Sequence, residues 1–391
     1  MKKRHIVITA VVTFYVTALF FILIGARLYF GGFLSNNSLN TKLNKIEALV
    51  ENSFIFDYTK DELEESALEG YLKACDDVYT EYISKSEYIS YRQTQDGKYK
   101  GIGVVVSLYD RDVTVITVNP ETPASKAGIK SGDIIKKVNG VDVNAESYND
   151  AIAIIRGSDK RGEDDNLSVV ISREGKELTF NIKREEVETI TVSEKLLDGN
   201  IGYIRISSFE GTTGEQFEKS VDNLLNKNVK GFIFDVRNNP GGTLEAVLQV
   251  TDRVLDEGII LTIRDKSGDE AVYKAEDKNN IKLPVYILAN ENSASAAEVF
   301  CAALKENGVA KIVGVTTFGK GIVQSIYDLG DETAVKLTTA KYYTPNNTCI
   351  HEIGVSPDYE VKLSEKYDGV SISDIPYYAD TQLQKAIEII K

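Results

Sequence analysis

The apolar positions of this 391-residue chain change rhythm several times. Ile6 to Ala26 is a run of 21 residues without a charge, preceded by Lys2, Lys3, Arg4 and His5. A bilayer-spanning helix needs roughly 20 such residues, whereas a cleavable signal peptide has an apolar core of roughly 7–15. Leu23-Ile24-Gly25-Ala26-Arg27 makes a poor exit site, and the basic cluster keeps the N-terminal end in the cytoplasm. The run therefore predicts an uncleaved transmembrane signal anchor in a single-pass cell-membrane protein. Everything from about residue 31 onward is then extracytoplasmic.

After a polar linker, residues 39 to about 97 read as helical, with Leu43, Ile46, Leu49 and Val50 at three-and-four spacing, and Leu63, Ala67, Leu68, Tyr71 and Leu72 likewise. Strand texture begins at Lys98. Gly101-Ile102-Gly103-Val104 opens one strand, Val113 to Val118 forms another, and an amphipathic helix from about Ser147 to Arg156 stops at Gly157. Leu167 to Arg173 and Leu178 to Lys183 read as strands joined through Glu174-Gly175. From Ile201 strands and helices alternate, including the apolar strand Phe232-Ile233-Phe234, which implies a mainly parallel sheet covered by helices. In such sheets the loops at the strand C-terminal ends carry the site.

The predicted fold class is α/β multidomain. Its divisions are a basic end and anchor (1–30), a linker and helical segment for packing or dimerisation (31–97), a β-rich domain with helices (98–186), an α/β core (187–362) and a helical C-terminal segment (363–391).

Charge and rare residues exclude several functions. The net charge is −14, and beyond residue 30 the chain carries 41 basic against 59 acidic residues. A body that acidic is repelled by phosphate backbones, so no nucleic-acid partner is expected. Cys75, Cys301 and Cys349 are too few and too far apart for a disulfide framework or a metal knuckle and read as small buried residues. His351 is the one histidine available to the main body. A multi-histidine metal site therefore cannot be built, and hydrolytic chemistry needs another base. Lying beside Cys349 and Ile350, His351 itself reads as a packing residue. No metal or organic cofactor is expected.

The stretch Asn290-Glu291-Asn292-Ser293-Ala294-Ser295-Ala296-Ala297-Glu298 places Ser295 at a strand-to-helix turn. Unpaired amides at the helix start suit a nucleophile whose attack creates an oxyanion. Lys320, 25 residues on, is the available base once burial lowers its pKa. Gln324 lies four residues beyond it and is placed to orient the amine. Taken singly these residues have ordinary readings: a serine N-cap, a solvated lysine, a glycine turn. Arg156 likewise reads as a helix-end cation that also has reach to the core or to a bound tail. Asp235 and Arg237 form a candidate pair to hold the glycine loop that follows them.

Residues 98–186 resemble a PDZ domain of the bacterial protease-associated kind. The match rests on Gly101-Ile102-Gly103, Ala127-Gly128-Ile129, Gly132-Asp133-Ile134-Ile135, Val138-Asn139-Gly140 and the closing helix. Almost the whole chain after the anchor resembles the carboxyl-terminal processing, or tail-specific, peptidases. That resemblance adds Asp76-Asp77, the Asp235-Val-Arg-Asn-Asn-Pro-Gly-Gly242 loop, Ser293-Ala-Ser-Ala296, Lys320-Gly-Ile-Val-Gln324 and Gly354-Val-Ser-Pro-Asp358. Departures are Ala74-Cys75-Asp76-Asp77-Val78-Tyr79-Thr80, where the family commonly has Leu-Asp-Asp-Pro-Tyr-Ser, and Ala297 after the serine motif.

The resemblance implies a core of ClpP/crotonase-like type and a catalytic set of Ser295, Lys320 and Gln324. It implies an oxyanion hole from Ala296 with Gly241 or Gly242, and tail binding at Gly101, Ile102, Gly103 and Val104. It further implies protein substrates with free, apolar C-termini, a homodimer, and a bacterial, membrane-anchored serine endopeptidase. The rival readings are a non-catalytic PDZ scaffold on a protease-like core and a crotonase-like acyl-CoA enzyme. Retention of serine, lysine and glutamine together argues against the first, and the anchor and PDZ domain against the second.

Overall fold

The computed structural model describes residues 39–109, 111–157, 165–276, 280–367 and 369–390. It falls into two units divided after Ser66. In the first, the helix Leu39–Ser53 carries Leu39, Leu43, Ile46 and Leu49 on one exposed stripe, and Phe54 stacks edge-on against Phe56 and Tyr58. Lys60 pairs with Glu47 at 3.0 Å.

The anchor expected at Ile6–Ala26 lies outside the described residues. Among the described residues no helix is long and apolar enough to cross a membrane. Leu39–Ser53, with its 15 residues, rises only about 22 Å against a hydrocarbon core of about 30 Å. The reading of a membrane-anchored, single-pass protein with an extracytoplasmic catalytic part, and of the membrane as a partner, is corrected accordingly.

In the second unit the six-stranded core sheet runs Val192–Leu197, Ile201–Ile206, Gly231–Asp235, Val285–Ala289, Ala310–Gly314, Tyr359–Glu360, parallel except for the first strand. Phe232, Ile233 and Phe234 are wholly buried, as a strand covered on both faces requires. One face packs against the helices Thr213–Leu225, Leu244–Asp252 and Ala296–Glu306. The other receives Leu383, Ala386 and Ile387 of the C-terminal helix Thr381–Ile390. The ClpP/crotonase-like type expected for this core finds no support in the arrangement and is set aside.

Periodicity did not reveal a second, antiparallel sheet built from Gly258–Asp265, Glu270–Ala275, Ile322–Asp328 and Ala334–Tyr343, whose edge is completed by Glu81–Ile83. The last strand lies inside the segment expected to be helical. Three residues carry no period of their own, and pairing of Glu81 with Lys336 decides their state. Cys301 is buried and Cys349 partly so, but Cys75 is exposed at the turn after the helix Lys60–Lys73, against expectation.

Between Ile102 and Ile182 a further sheet, with the helix Tyr148–Arg156, encloses its own apolar core around Val115, Ile135, Ile154 and Val169. Its edge strand Val104–Tyr109 pairs on one side with Asp112–Val118, and among the described residues no strand pairs with its other side.

Candidate active site

The strand Val285–Ala289 leads through Asn290–Ser295 into the helix Ala296–Glu306. The two serines of this turn differ in circumstance. Ser293 is buried, and its hydroxyl donates to the Val236 carbonyl at 2.8 Å while accepting the Asn290 N–H at 3.0 Å. It ties the turn to the neighbouring strand end. Ser295 is partly exposed and holds φ 56°, ψ −116°. For a residue with a Cβ such a conformation costs about 1–3 kcal/mol and persists only where the surroundings impose it.

Glu298, the third residue of the helix, is fully buried and accepts four hydrogen bonds. The Ser295 and Lys320 amides reach one oxygen at 2.9 and 2.8 Å, and the Thr317 hydroxyl and Gly319 amide reach the other at 2.6 and 2.7 Å. A carboxylate taken out of water needs its lone pairs filled, and these donors come from both the serine turn and the lysine loop. The Tyr342 phenol lies within hydrogen-bond reach of the Ser295 carbonyl, at 3.2 Å, and of the Lys320 carbonyl. Burial, reinforced by Glu298, pushes its pKa well up, so it stays a donor. Sequence reasoning assigned neither residue a role. Ser295-Ala-Ala-Glu298 has capping-box spacing, which was the available signal for Glu298; Tyr342 left none.

Lys320 is partly buried, and desolvation, with repulsion from Lys336, holds its pKa below the ordinary lysine value. Its ammonium lies 4.5 Å above the Tyr79 ring. Among the described residues it makes no hydrogen bond, so the amine is not bonded to Ser295 in this state. Tyr79 is positioned by Asp77, which accepts its amide at 3.2 Å and the Thr80 hydroxyl at 2.7 Å. Burial pushes the Asp77 carboxyl up, but these bonds and one from Thr338 outweigh it and hold it below the usual range. Gln324 points its amide at the Thr338 hydroxyl, 3.5 Å away, and not at Lys320. His351 lies behind Gly321, where its backbone leaves no room for a Cβ on that glycine. The turn at Gly354 braces the lysine loop through Thr317, whose hydroxyl accepts the Val355 amide at 2.7 Å.

Asp235 ends its strand fully buried, facing Arg237 at 2.5 Å. Burial alone would raise this carboxyl; Arg237, with Arg205 and the Tyr203 hydroxyl, holds it below its usual range instead. The guanidinium also binds Asp380 at 2.8 Å and Gln382 at 3.0 Å. From this anchor the chain reaches Gly241 and Gly242. A Cβ on Gly241 would lie 2.8 Å from that of Ser295, and one on Gly242 would lie 1.9 Å from the Phe209 carbonyl. Both glycines have positive φ. The Gly241 amide is committed to the Asn239 side chain at 2.8 Å. Among the described residues the amides of Gly242, which is exposed, and of Ala296 donate to nothing.

Ile102, Gly103 and Val104 line a cavity of about 410 Å³ together with Tyr148, Ile152 and Ile155. Arg156 stands exposed at its rim. Gly101 is not part of it; that residue pairs with Glu185 in a two-stranded ribbon. Gly103 is required because a Cβ there would lie 2.3 Å from the Thr122 side chain.

The profile of Peptidase family S41 matches residues 200–361, and the PDZ domain profile matches residues 100–183. Over 326 residues, 83% of this chain and 69% of the relative, the sequence is 35% identical to the carboxy-terminal processing protease CtpA of Bacillus subtilis. It is 32% identical to the carboxy-terminal-processing protease of Bartonella bacilliformis, over 87% of this chain and 80% of that one. The chain belongs to peptidase family S41. It is a serine peptidase of the carboxyl-terminal processing kind carrying a PDZ domain. At the level of fold, a solved Bacteroides fragilis structure assigned to the S41 proteases superposes with a TM-score of 0.54 at 16% identity, over 82% of this chain and 89% of that one.

The S41 segment spans Asp235 to Val355 of the cluster, whereas Asp77 and Tyr79 lie outside both matched segments. A lysine that serves as base must be neutral to act, so with Lys320 in that role kcat/KM is expected to fall as pH drops through its pKa. Lys336→Met removes a like charge and leaves Glu81 unopposed, and both changes favour protonated Lys320. The acidic limb of the kcat/KM profile is expected to move to higher pH. A limb that stays or moves lower would show that another group titrates.

Proposed function

We propose that this S41 peptidase cuts protein substrates selected by a free, apolar C-terminal tail, through a Ser–Lys acyl-enzyme mechanism. What carries the reading is the common anchoring of the Ser295 and Lys320 amides on one oxygen of Glu298. In the proposed sequence the Lys320 amine leaves Tyr79, sheds its proton, which burial favours, and takes the Ser295 hydroxyl proton as Oγ bonds to the scissile carbonyl carbon. The oxyanion takes the unpaired amides of Ala296 and Gly242; Gly241 serves as the side-chain-free residue that lets Ser295 approach. As the intermediate collapses, the C–N bond breaks and the lysine proton passes to the leaving amine. Water then attacks the ester, its proton passing to Lys320 and on to Ser295. Gln324 orients the amine once it exchanges its Thr338 contact for the lysine.

Tail selection rests on the PDZ groove. The Ile102 and Gly103 amides donate to nothing among the described residues, and they stand at the head of the open edge Val104–Tyr109. Free amides take a carboxylate, and the open edge takes the strand behind it. Ile102, Ile152 and Ile155 favour an apolar last side chain. With the full chain and an unfolded reporter ending in an apolar residue, cleavage is expected to fall at least about tenfold when the tail is amidated, the loss of a charge-assisted hydrogen bond. Equal cleavage of both tails would remove the PDZ groove from substrate selection.

A further inference from the structure

The open edge of the PDZ sheet is not open along its whole length. The Tyr148 hydroxyl, at the first turn of the helix Tyr148–Arg156, donates to the Val106 carbonyl at 3.2 Å. Which edge that carbonyl faces follows from the ladder. Gly103 turns its carbonyl toward the neighbouring strand, where it accepts the Asn119 amide at 2.9 Å. Backbone groups of an antiparallel strand alternate between its two edges, so Val104 and Val106 present theirs to the groove. The register shift in this ladder lies between Thr117 and Val115 and adds its residue to the partner strand, leaving the alternation intact.

A tail whose carboxylate sits on the Ile102 and Gly103 amides runs antiparallel to this edge. Its last residue then faces Val104, and the residue two places before it faces Val106. The amide of that antepenultimate residue must reach the groove-facing side of a carbonyl on which Tyr148 already sits. Tyr148 is partly buried and packs against the apolar core of the domain, which braces it in this position.

Building on the tail-docking reading above, we infer that Tyr148 is a specificity-determining residue: its hydroxyl takes the place of the antepenultimate amide, so that the last residue of a tail is the one whose amide the groove reads by backbone pairing. Selection beyond it falls chiefly to side-chain contacts.

The test uses the full chain with Ser295→Ala, so that peptides bind without being cut, and compares three ligands by fluorescence anisotropy. They are an apolar decapeptide tail, its C-terminal amide, and a depsipeptide in which the antepenultimate N–H is replaced by an ester oxygen. Protein with Tyr148 in place is expected to bind peptide and depsipeptide within about twofold of each other. With Tyr148→Phe added, which keeps the ring, the peptide binds about fivefold tighter and is preferred over the depsipeptide by about fivefold, the worth of one net hydrogen bond. A fivefold preference for the peptide while Tyr148 is present would overturn the inference, and that measurement needs no folded variant. So would a Tyr148→Phe protein, folded by its melting curve, that shows no such preference. Failure of the tail-docking reading has a separate mark: binding that is the same for acid and amide.

Discussion

Alanine at Ser295 or at Lys320 is expected to lower turnover of a tailed reporter by roughly 10⁴-fold or more, because members of a nucleophile–base unit fail together when one is removed. The background expected to remain is what binding and the proposed oxyanion amides of Ala296 and Gly242 supply. Lys320→Arg should fail almost as badly, since a guanidinium stays protonated and cannot accept the serine proton. A serine-reactive fluorophosphonate separates the roles. It should label wild type, leave Ser295→Ala unlabelled, and label Lys320→Arg slowly. All three proteins should bind the tail alike, which shows that the PDZ domain survives. Equal turnover by Ser295→Ala would overturn the assignment of the nucleophile, and undiminished labelling of Lys320→Arg would overturn that of the base.

The second large effect falls on stability. Arg237→Met deprives Asp235 and Asp380 of the cation they share, leaving Arg205 as the charge beside Asp235, in a place where Arg237 and Asp235 are both wholly buried. Breaking a buried pair from one side costs about 3–5 kcal/mol. In a core of this size that lowers the melting temperature on the order of 10 °C. Because Arg237 outweighs burial and holds the Asp235 carboxyl low, the pair's contribution is complete above the unfolded carboxyl pKa of about 4 and is lost only as pH falls through the lower folded value. The destabilisation should therefore be full at neutral pH. Catalysis should suffer with it, since the chain from Arg237 to Gly242 carries the proposed oxyanion donor. A variant that melts within 2 or 3 °C of wild type (a small fraction of the roughly 10 °C expected) would show that the carboxylates find other partners or take up protons at little cost.

How a residue became legible depended on where its partners lie in the chain. Ser295 and Glu298 are separated by three residues, and a serine at a strand-to-helix turn with an acid at capping-box spacing is a local pattern that propensity and spacing reveal. Asp235 and Arg237 are two residues apart and could be paired from sequence; Asp380 and Gln382, which complete their shell from the start of the last helix, could not. Gln324 shows the opposite failure. Its spacing from Lys320 suggested contact, yet strand pairing turns its amide toward Thr338. The Asp76-Asp77 turn carried no chemistry in its own composition, and Tyr79 becomes part of the lysine's environment through the pairing of Glu81 with Lys336.

By itself the sequence determined the family, the presence of a PDZ segment ahead of the S41 segment and the residue types able to do serine–lysine chemistry, because motifs, periodicity and turn residues are encoded over a few neighbouring positions. The tertiary structure alone decided which of two adjacent glycines keeps a free amide, that one buried carboxylate joins the serine turn to the lysine loop, and that Tyr148 closes part of an edge that reads as open. Each of these depends on which backbone groups are already satisfied, and that is settled only when distant segments compete for the same donors and acceptors.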